Sequence, residues 1–233
     1  MLCIMNCRHQ RQKGRNRCIS VCGDKMVQQL KYGNTNTFYI SNGHGGVLID
    51  TDWAWTLSAF YKAIKSRNIK IEDIHYLIIT HYHPDHMGLA SELIELGIKL
   101  VVVDVQYDFI HCSDNIFQKE KHHFYKPIPD DRTSVISCEE SRSFLEELGI
   151  NGEIIYTPGH SDDSISIVLD EGTAIVGDLE PVDNVLAYDA NNVLINSWNK
   201  ILSHDLKVVF YGHANERDVS GLSSIDDLKK LQI

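Results

Sequence analysis

Ile74-His75-Tyr76-Leu77-Ile78-Ile79-Thr80-His81-Tyr82-His83-Pro84-Asp85-His86 is the stretch on which the fold turns. Residues 74–79 are a mainly apolar run of the kind found in a buried strand. An H-x-H-x-D-H run follows at its end. Side chains two apart in an extended segment point the same way, so His81 and His83 can bind one ion together. Pro84 keeps His83 out of the helical region and is suited to opening the next helix. Asp85 and His86 then leave the strand direction and are available to a second ion. A single His at a strand end is ordinarily a satisfied polar residue. Four ligand-type side chains within six residues are a far more specific signal.

Three later segments repeat the theme of a polar ligand at the tip of an apolar strand: Thr157-Pro158-Gly159-His160, Val176-Gly177-Asp178 and Phe210-Tyr211-Gly212-His213. A glycine beside each ligand fits a tight turn, and active sites of layered α/β folds gather at strand ends. The seven candidate ligands offer nitrogen or oxygen and no sulfur. That donor set suits two divalent ions, with zinc the default and manganese or iron tolerated. His9, His44, His75, His111, His122, His123 and His204 lie outside this pattern.

Outward from these tips, residues 27–32, 37–41 and 46–50 read as a β-meander, with Ser41-Asn42-Gly43-His44-Gly45-Gly46 as its second turn. Residues 55–66 have helical spacing. Residues 87–96 read as one helix ending at Gly97, and 99–103 as a buried strand. Residues 104–131 break this βαβ rhythm with scattered aromatics and read as an insertion. It is a candidate lid, with Phe117 and Phe124 among its ring-bearing residues; the alternatives are a packing helix or a homodimer contact. A helix over 138–148 follows, then strands over 153–156, 164–169 and 173–176, the last two joined by Asp170-Glu171-Gly172. Val193, Leu194, Trp198, Ile201 and Leu202 mark a helix, 207–211 a strand, and Ile225, Leu228 and Leu231 a closing helix.

The ligand run and the three tips in this order resemble the metallo-β-lactamase superfamily over nearly all of residues 26–213. The resemblance implies an α/β fold, a four-layer αβ/βα sandwich with its site along one edge. It implies that His81, His83 and His160 bind one metal, that Asp85, His86 and His213 bind the other, and that Asp178 bridges them. It also makes Asp50, at the end of the third strand, a residue that supports the site from behind the ligands. The expected activity is hydrolysis: two ions about 3.5 to 4 Å apart can share a water, lower its pKa and deliver hydroxide to an electrophilic centre. Asp85 and Asp178 are the residues expected to serve catalysis directly.

The ligand set is similar to that of glyoxalase II, lactonases and related thioester or ester hydrolases. True β-lactamases of the superfamily usually lack the bridging aspartate. A thiolate or alkoxide leaves more readily than an amine and demands less of a general acid, so a small thioester, ester or lactone is the expected substrate. Glyoxalase II proper carries a further C-terminal helical domain, and the end of this chain 20 residues after His213 speaks against that full-length enzyme. Lactonases that open acyl-homoserine lactones commonly have a tyrosine soon after the bridging aspartate, where this chain has Leu179-Glu180-Pro181. The alternatives are a phosphodiesterase with the same ligand set, or a persulfide dioxygenase with one iron. The dioxygenases' usual glycine- and arginine-rich stretch after the metal aspartate is absent.

Composition bounds the rest. With 233 residues and 43% hydrophobic content the chain can bury a large core as one domain, 26–233. The net charge is −10. Its first 25 residues run the other way, with Arg8, Arg11, Lys13, Arg15, Arg17 and Lys25 against Asp24. No cluster of Lys and Arg follows, so nucleic acid is not expected as a partner. Residues 1–25 hold Cys3, Cys7, Cys18 and Cys22 in paired C-x3-C spacing, but read better as a disordered basic arm or a stretch upstream of the true start than as a metal knuckle. This segment lacks the apolar core of a signal peptide, and no run is long enough to span a membrane, so a cytoplasmic protein is expected. Cys112 and Cys138 read as ordinary reduced thiols.

Overall fold

The computed structural model describes residues 26–42, 45–119, 125–188 and 192–231; the arm over 1–25, with its cysteines, lies outside them. In chain order the elements begin with β1 (Met26–Lys31), β2 (Asn36–Ser41), β3 (Gly46–Ile49), α1 (Leu57–Ser66), β4 (Ile74–Ile78), α2 (Pro84–Met87) and α3 (Ala90–Glu95). Then come β5 (Lys99–Val103), α4 (Asp114–Lys119), β6 (Thr133–Ile136), α5 (Cys138–Glu147), β7 (Gly152–Tyr156), β8 (Ile165–Leu169) and β9 (Thr173–Ile175). The last are α6 (Asn192–Leu202), β10 (Val208–Phe210), β11 (Arg217–Asp218) and α7 (Ile225–Leu231).

Strands β1 to β6 lie side by side in sequence order, and a second sheet runs β11-β10-β9-β8-β7. The first sheet is antiparallel through β1, β2 and β3 and parallel from β3 to β6. Its central strands are buried on both faces, as parallel strands are, and their side chains divide by alternation. Val47, Ile49, Ile78, Val101 and Val103 join one core, while Leu48, Leu77, Leu100 and Val102 join another. The first of these cores lies between the sheets, where Ile154, Ile165, Ile167, Ile175 and Phe210 answer from the second sheet. Outside the first sheet, Phe60 and Ile64 of α1 and Leu93 and Ile94 of α3 cover it. Outside the second, Leu194, Trp198, Ile201 and Leu202 of α6 and Ile225 and Leu228 of α7 do the same. The result is the expected αβ/βα sandwich. No helix among the described residues is long and apolar enough to cross a membrane.

Two local departures from the sequence reading have physical causes. The helix expected over 87–96 is broken at Gly88 and Leu89 because the His86 carbonyl is taken. It accepts from Thr51 N at 2.8 Å and from the Thr51 hydroxyl at 2.9 Å, leaving no acceptor for a continuous helix. The short strand β6 escaped the reading: it has four residues, with Val135 48% exposed at the sheet edge, so no strong apolar run announces it.

The described residues of the stretch 104–131 include a 3-10 turn (Asp104–Phe109), α4 and the start of a second turn (Asp130–Arg132). Phe117 is buried. It stacks on Tyr125 at 4.1 Å between ring centroids and meets Trp53 edge-on at 5.9 Å. Phe117 is therefore a core residue rather than a lining one; Phe124 lies outside the described residues.

Candidate metal centre

The strand tips are brought together by backbone hydrogen bonds across elements. Asp50 N donates to Ile78 O at 2.9 Å, Ile165 N to Thr80 O at 2.9 Å, Gly212 N to Gly177 O at 2.7 Å and Asn36 N to Gly212 O at 2.7 Å. Two of these bonds join the two sheets, so the edge of the sandwich is closed at the site itself. Gly212 is needed for this closeness: a Cβ there would run into Asp178 Oδ1 and the His86 ring. Gly177 has φ +58°, and a Cβ on it would strike the Thr80 hydroxyl.

All seven sequence-selected ligands converge, in two groups: His81, His83 and His160, and Asp85, His86, Asp178 and His213. In the first, His83 Nδ1 lies 3.1 Å from His81 Nε2 and 3.1 Å from His160 Nε2. Burial is the main cause that keeps His81 well below the ordinary histidine pKa, aided by nearby His86; burial lowers His160 as well, against the pull of Asp178. A neutral imidazole is the form that offers a lone pair to a cation.

In the second group, carboxylates and imidazoles alternate. His213 Nε2 stands 2.9 Å from Asp85 Oδ2 and 3.3 Å from Asp178 Oδ2, and hydrogen bonds to Asp178 and Asp85 raise its pKa to about 10. Burial opposes a charged His86, but Asp50 and Asp178 outweigh it and raise that pKa to about 10. The same contacts hold Asp178 far below the usual carboxylate range, although burial alone would raise it. Asp178 touches both groups: its Oδ1 is 3.2 Å from His86 Nε2, and its Oδ2 is 3.9 Å from His160 Nε2.

Asp50 stands directly behind His86, on the side away from the cluster. It is buried in the left-handed region at φ 59°, accepts from Thr80 N at 2.6 Å and the Thr80 hydroxyl at 2.7 Å, and holds His86 Nδ1 at 2.9 Å. That bond turns His86 Nε2 toward the cluster, a common arrangement behind metal-ligating histidines. Buried His86 Nε2 and Asp178 Oδ1 have no hydrogen-bond partner of suitable geometry among the described residues. A buried polar atom without a partner is costly, and a cation between these two would satisfy both. The donor set and its packing therefore suit metal ions.

Sequence reasoning missed two supports. Gln106 is buried, and its amide donates to Ile79 O at 3.0 Å, Thr80 O at 3.2 Å and Asp163 O at 3.0 Å. It thus ties the tip carrying His81 to the loop carrying His160. Asp163 accepts from Tyr82 N at 2.6 Å, between the two histidines of the H-x-H run. Neither belongs to a motif; a buried glutamine among apolar strand ends is visible only in space. Of the histidines outside the pattern, His75, His111 and His204 join neither group, and His9, His44, His122 and His123 lie outside the described residues.

Two sheets closed over a paired His/Asp cluster define a metal-binding class of αβ/βα sandwich. The chain belongs to the metallo-beta-lactamase superfamily, whose family model matches residues 30–213. It is 24% identical over 185 residues to an atrochrysone carboxyl ACP thioesterase of Aspergillus fumigatus, covering 76% of this chain and 36% of that protein. It is 26% identical to the beta-lactamase-like protein 2 homolog of Drosophila melanogaster, covering 78% of this chain and 59% of that one. The chain thus spans between about a third and three fifths of these relatives' lengths. Among solved structures it resembles a metallo-beta-lactamase family protein of Thermus thermophilus, with TM-score 0.63, 18% identity and coverage of 90% of this chain and 78% of that one. It also resembles TTHA1623, solved in a di-iron-bound form, with TM-score 0.62, 22% identity and coverage of 82% and 93%.

Proposed function

We propose that the chain is a hydrolase that uses two metal ions, zinc by default, to cleave a small thioester, with esters and lactones as chemically related substrates. The observation that carries this reading is the position of Asp178, with one oxygen toward His86 and the other toward His160 and His213. His81, His83 and His160 would hold one ion, and Asp85, His86 and His213 the other, with Asp178 shared. When bound, such a pair lowers the pKa of a water between them and draws charge from the substrate's carbonyl oxygen.

The chain's own residues do the rest. Asp178 and Asp85, held ionised beside His213, would accept hydrogen bonds from the attacking water and fix its orientation. Asp50 and Thr80 keep His86 in place through bonds of 2.9 and 2.7 Å. A thiolate leaves without help from an acid, which suits a site whose clustered histidines and aspartates would be taken up as ligands or as their partners. The name of the Aspergillus fumigatus relative, a thioesterase, supports the same substrate class. The structural neighbour solved with two irons makes iron the natural competitor to zinc.

The test loads the purified chain with zinc, manganese or iron and offers thioester, lactone, phosphodiester and β-lactam panels. Two equivalents of bound metal with thioester turnover are expected. One iron with oxygen uptake, or phosphodiester turnover alone, would replace this reading.

A further inference from the structure

Gly33, Asn34 and Thr35 of the β1–β2 turn, with Asn36 that opens β2, lie against the second ligand group. We propose that this segment is the positioning frame of the second metal site, so that it sets whether the chain holds two ions or one and leaves the three-histidine site alone. The frame presupposes the two-ion reading of the cluster and goes beyond it: the number of ions becomes a property of residues that supply no ligand.

Of the three residues assigned to the second ion alone, two are held by this segment. The Thr35 hydroxyl donates to Asp85 O at 2.7 Å and lies 3.5 Å from the Asp85 carboxylate Oδ2. Helix α2 is only four residues long, so the Asp85 carbonyl takes this bond from outside the helix. Thr35 is itself fully buried and fixed, its N donating to Asp52 Oδ2 at 3.1 Å. A Cβ on Gly33 would strike that Asp52 carboxylate, so glycine lets the turn sit this close.

His213 is held from two sides. Its Nδ1 donates to Asn34 O at 3.2 Å. A carbonyl can only accept, so Nδ1 carries the proton and Nε2, 2.9 Å from Asp85 Oδ2, is the nitrogen left to a cation. Asn36 is buried and fixes the tip on which the ring is mounted. Its N donates to Gly212 O at 2.7 Å, and its amide Nδ2 donates to Tyr211 O at 2.9 Å and Ala214 O at 3.0 Å. These carbonyls bracket His213 in the chain.

The three-histidine group is held by other residues. Gln106 and Asp163 tie its tips together, and the Thr80 hydroxyl lies 3.2 Å from His81 Nδ1. Each site therefore has its own frame. A lost partner behind a ligand typically weakens metal binding 10–100-fold, and the loss falls on the site whose ligands it held.

The experiment strips the full chain of metal and titrates it with zinc against a chelating indicator, which yields a Kd for each ion. Thr35→Val keeps the side chain's shape and removes its hydroxyl; Thr35→Ser restores the hydroxyl. Thr35→Val should weaken one of the two Kd values by about 10–100-fold and leave the other unchanged, and Thr35→Ser should recover wild-type binding. Asn36→Ala should give the same split through the His213 tip, and it carries the test if Thr35→Val does not fold. In a His213→Ala background, where the three-histidine site alone is complete, adding Thr35→Val should not move the Kd of the remaining zinc. A general loosening of the fold would weaken both ions alike. Equal weakening of both, no change in either, or weaker zinc binding in the His213→Ala background overturns the frame and leaves the two-ion reading intact. A wild type that binds one zinc overturns both. The split seen in a chain that cleaves no thioester sinks the hydrolase reading and leaves the frame standing.

Discussion

The four strand tips and the segment over 104–131 are built by opposite means. At the tips, regular strands end in candidate ligands and short glycine turns, and buried atoms such as His86 Nε2 have no hydrogen bond of suitable geometry among the described residues. In the segment, irregular backbone is held by side chains that are each fully engaged. Gln106 grips three carbonyls, the Ser113 hydroxyl donates to Tyr82 O at 2.6 Å, and His111 joins Asp114 to Asp130. The lesson is a division of labour. Changes at the tips should remove chemistry and spare the fold, whereas changes in the segment should weaken the fold and reach the chemistry only through it.

The largest effect expected on stability comes from the segment. Phe117→Ala removes a ring buried between Tyr125 and the Trp53–Trp55 pair and should cost about 3–5 kcal/mol in urea unfolding. A detachable lid would tolerate it, so a stability within about 0.5 kcal/mol of wild type would erase the contrast. Asp178→Ala should do the reverse. Turnover should fall by more than about 100-fold, since even partners behind the ligands are worth 10–100-fold, and dialysed protein should retain fewer than two metal equivalents. The metal-free chain loses the contacts of Asp178 with His86 and His213, so its unfolding midpoint near neutral pH should fall, but by less than in Phe117→Ala. Full metal retention with wild-type turnover would remove Asp178 from the mechanism.

This division also explains what could be read in the sequence. The tips were legible because each pairs an apolar run with a ligand at fixed spacing: His81 and His83 share a face by strand alternation, and Pro84 announces the helix that swings Asp85 and His86 away. Asp50 was placed by family resemblance, and its φ of 59° is a property of space that no spacing displays. The segment was not legible because the bonds that tie it to the site join residues far apart in the chain. Gln106 reaches Asp163 O across 57 positions, and nothing local marks it. The break at Gly88 and Leu89 was hidden for the same reason, since the competing donor is Thr51, 35 residues before His86.

Gln106 offers a smaller test that sharpens the boundary between the two regions. Gln106→Leu keeps the volume and removes the donor to three buried carbonyls, which should destabilise the metal-free chain by about 1–3 kcal/mol. Because two of those carbonyls precede His81 and the third follows His160, zinc affinity at the three-histidine group should weaken by roughly tenfold. Chelator competition measures this separately from unfolding. Ser141→Ala removes a buried hydroxyl bonded to Ile154 N at 2.8 Å, away from the cluster, and should lower stability with no change in zinc affinity. Equal zinc binding in both variants would make Gln106 a fold residue only.

The smallest effect belongs to His111, which stands 2.8 Å from Asp130 and 3.0 Å from Asp114. Its hydrogen bond to Asp130 raises its pKa, burial opposes this slightly, and Asp114 adds to the rise. A folded pKa above the unfolded value of about 6.5 means that the protonated form stabilises the fold. That contribution is fully present below about pH 6.5 and disappears as pH rises through the higher folded value. Because the histidine side chain is 41% exposed, solvent screening limits the gain to less than about 1 kcal/mol. Comparing wild type with His111→Gln at each pH cancels the titration of the metal-site groups common to both. The stability difference should be present at pH 5.5 and absent in strongly alkaline buffer. A difference that grows with pH would mean that His111 joins the two aspartates as a neutral ring, and the segment's closure would then need another cause.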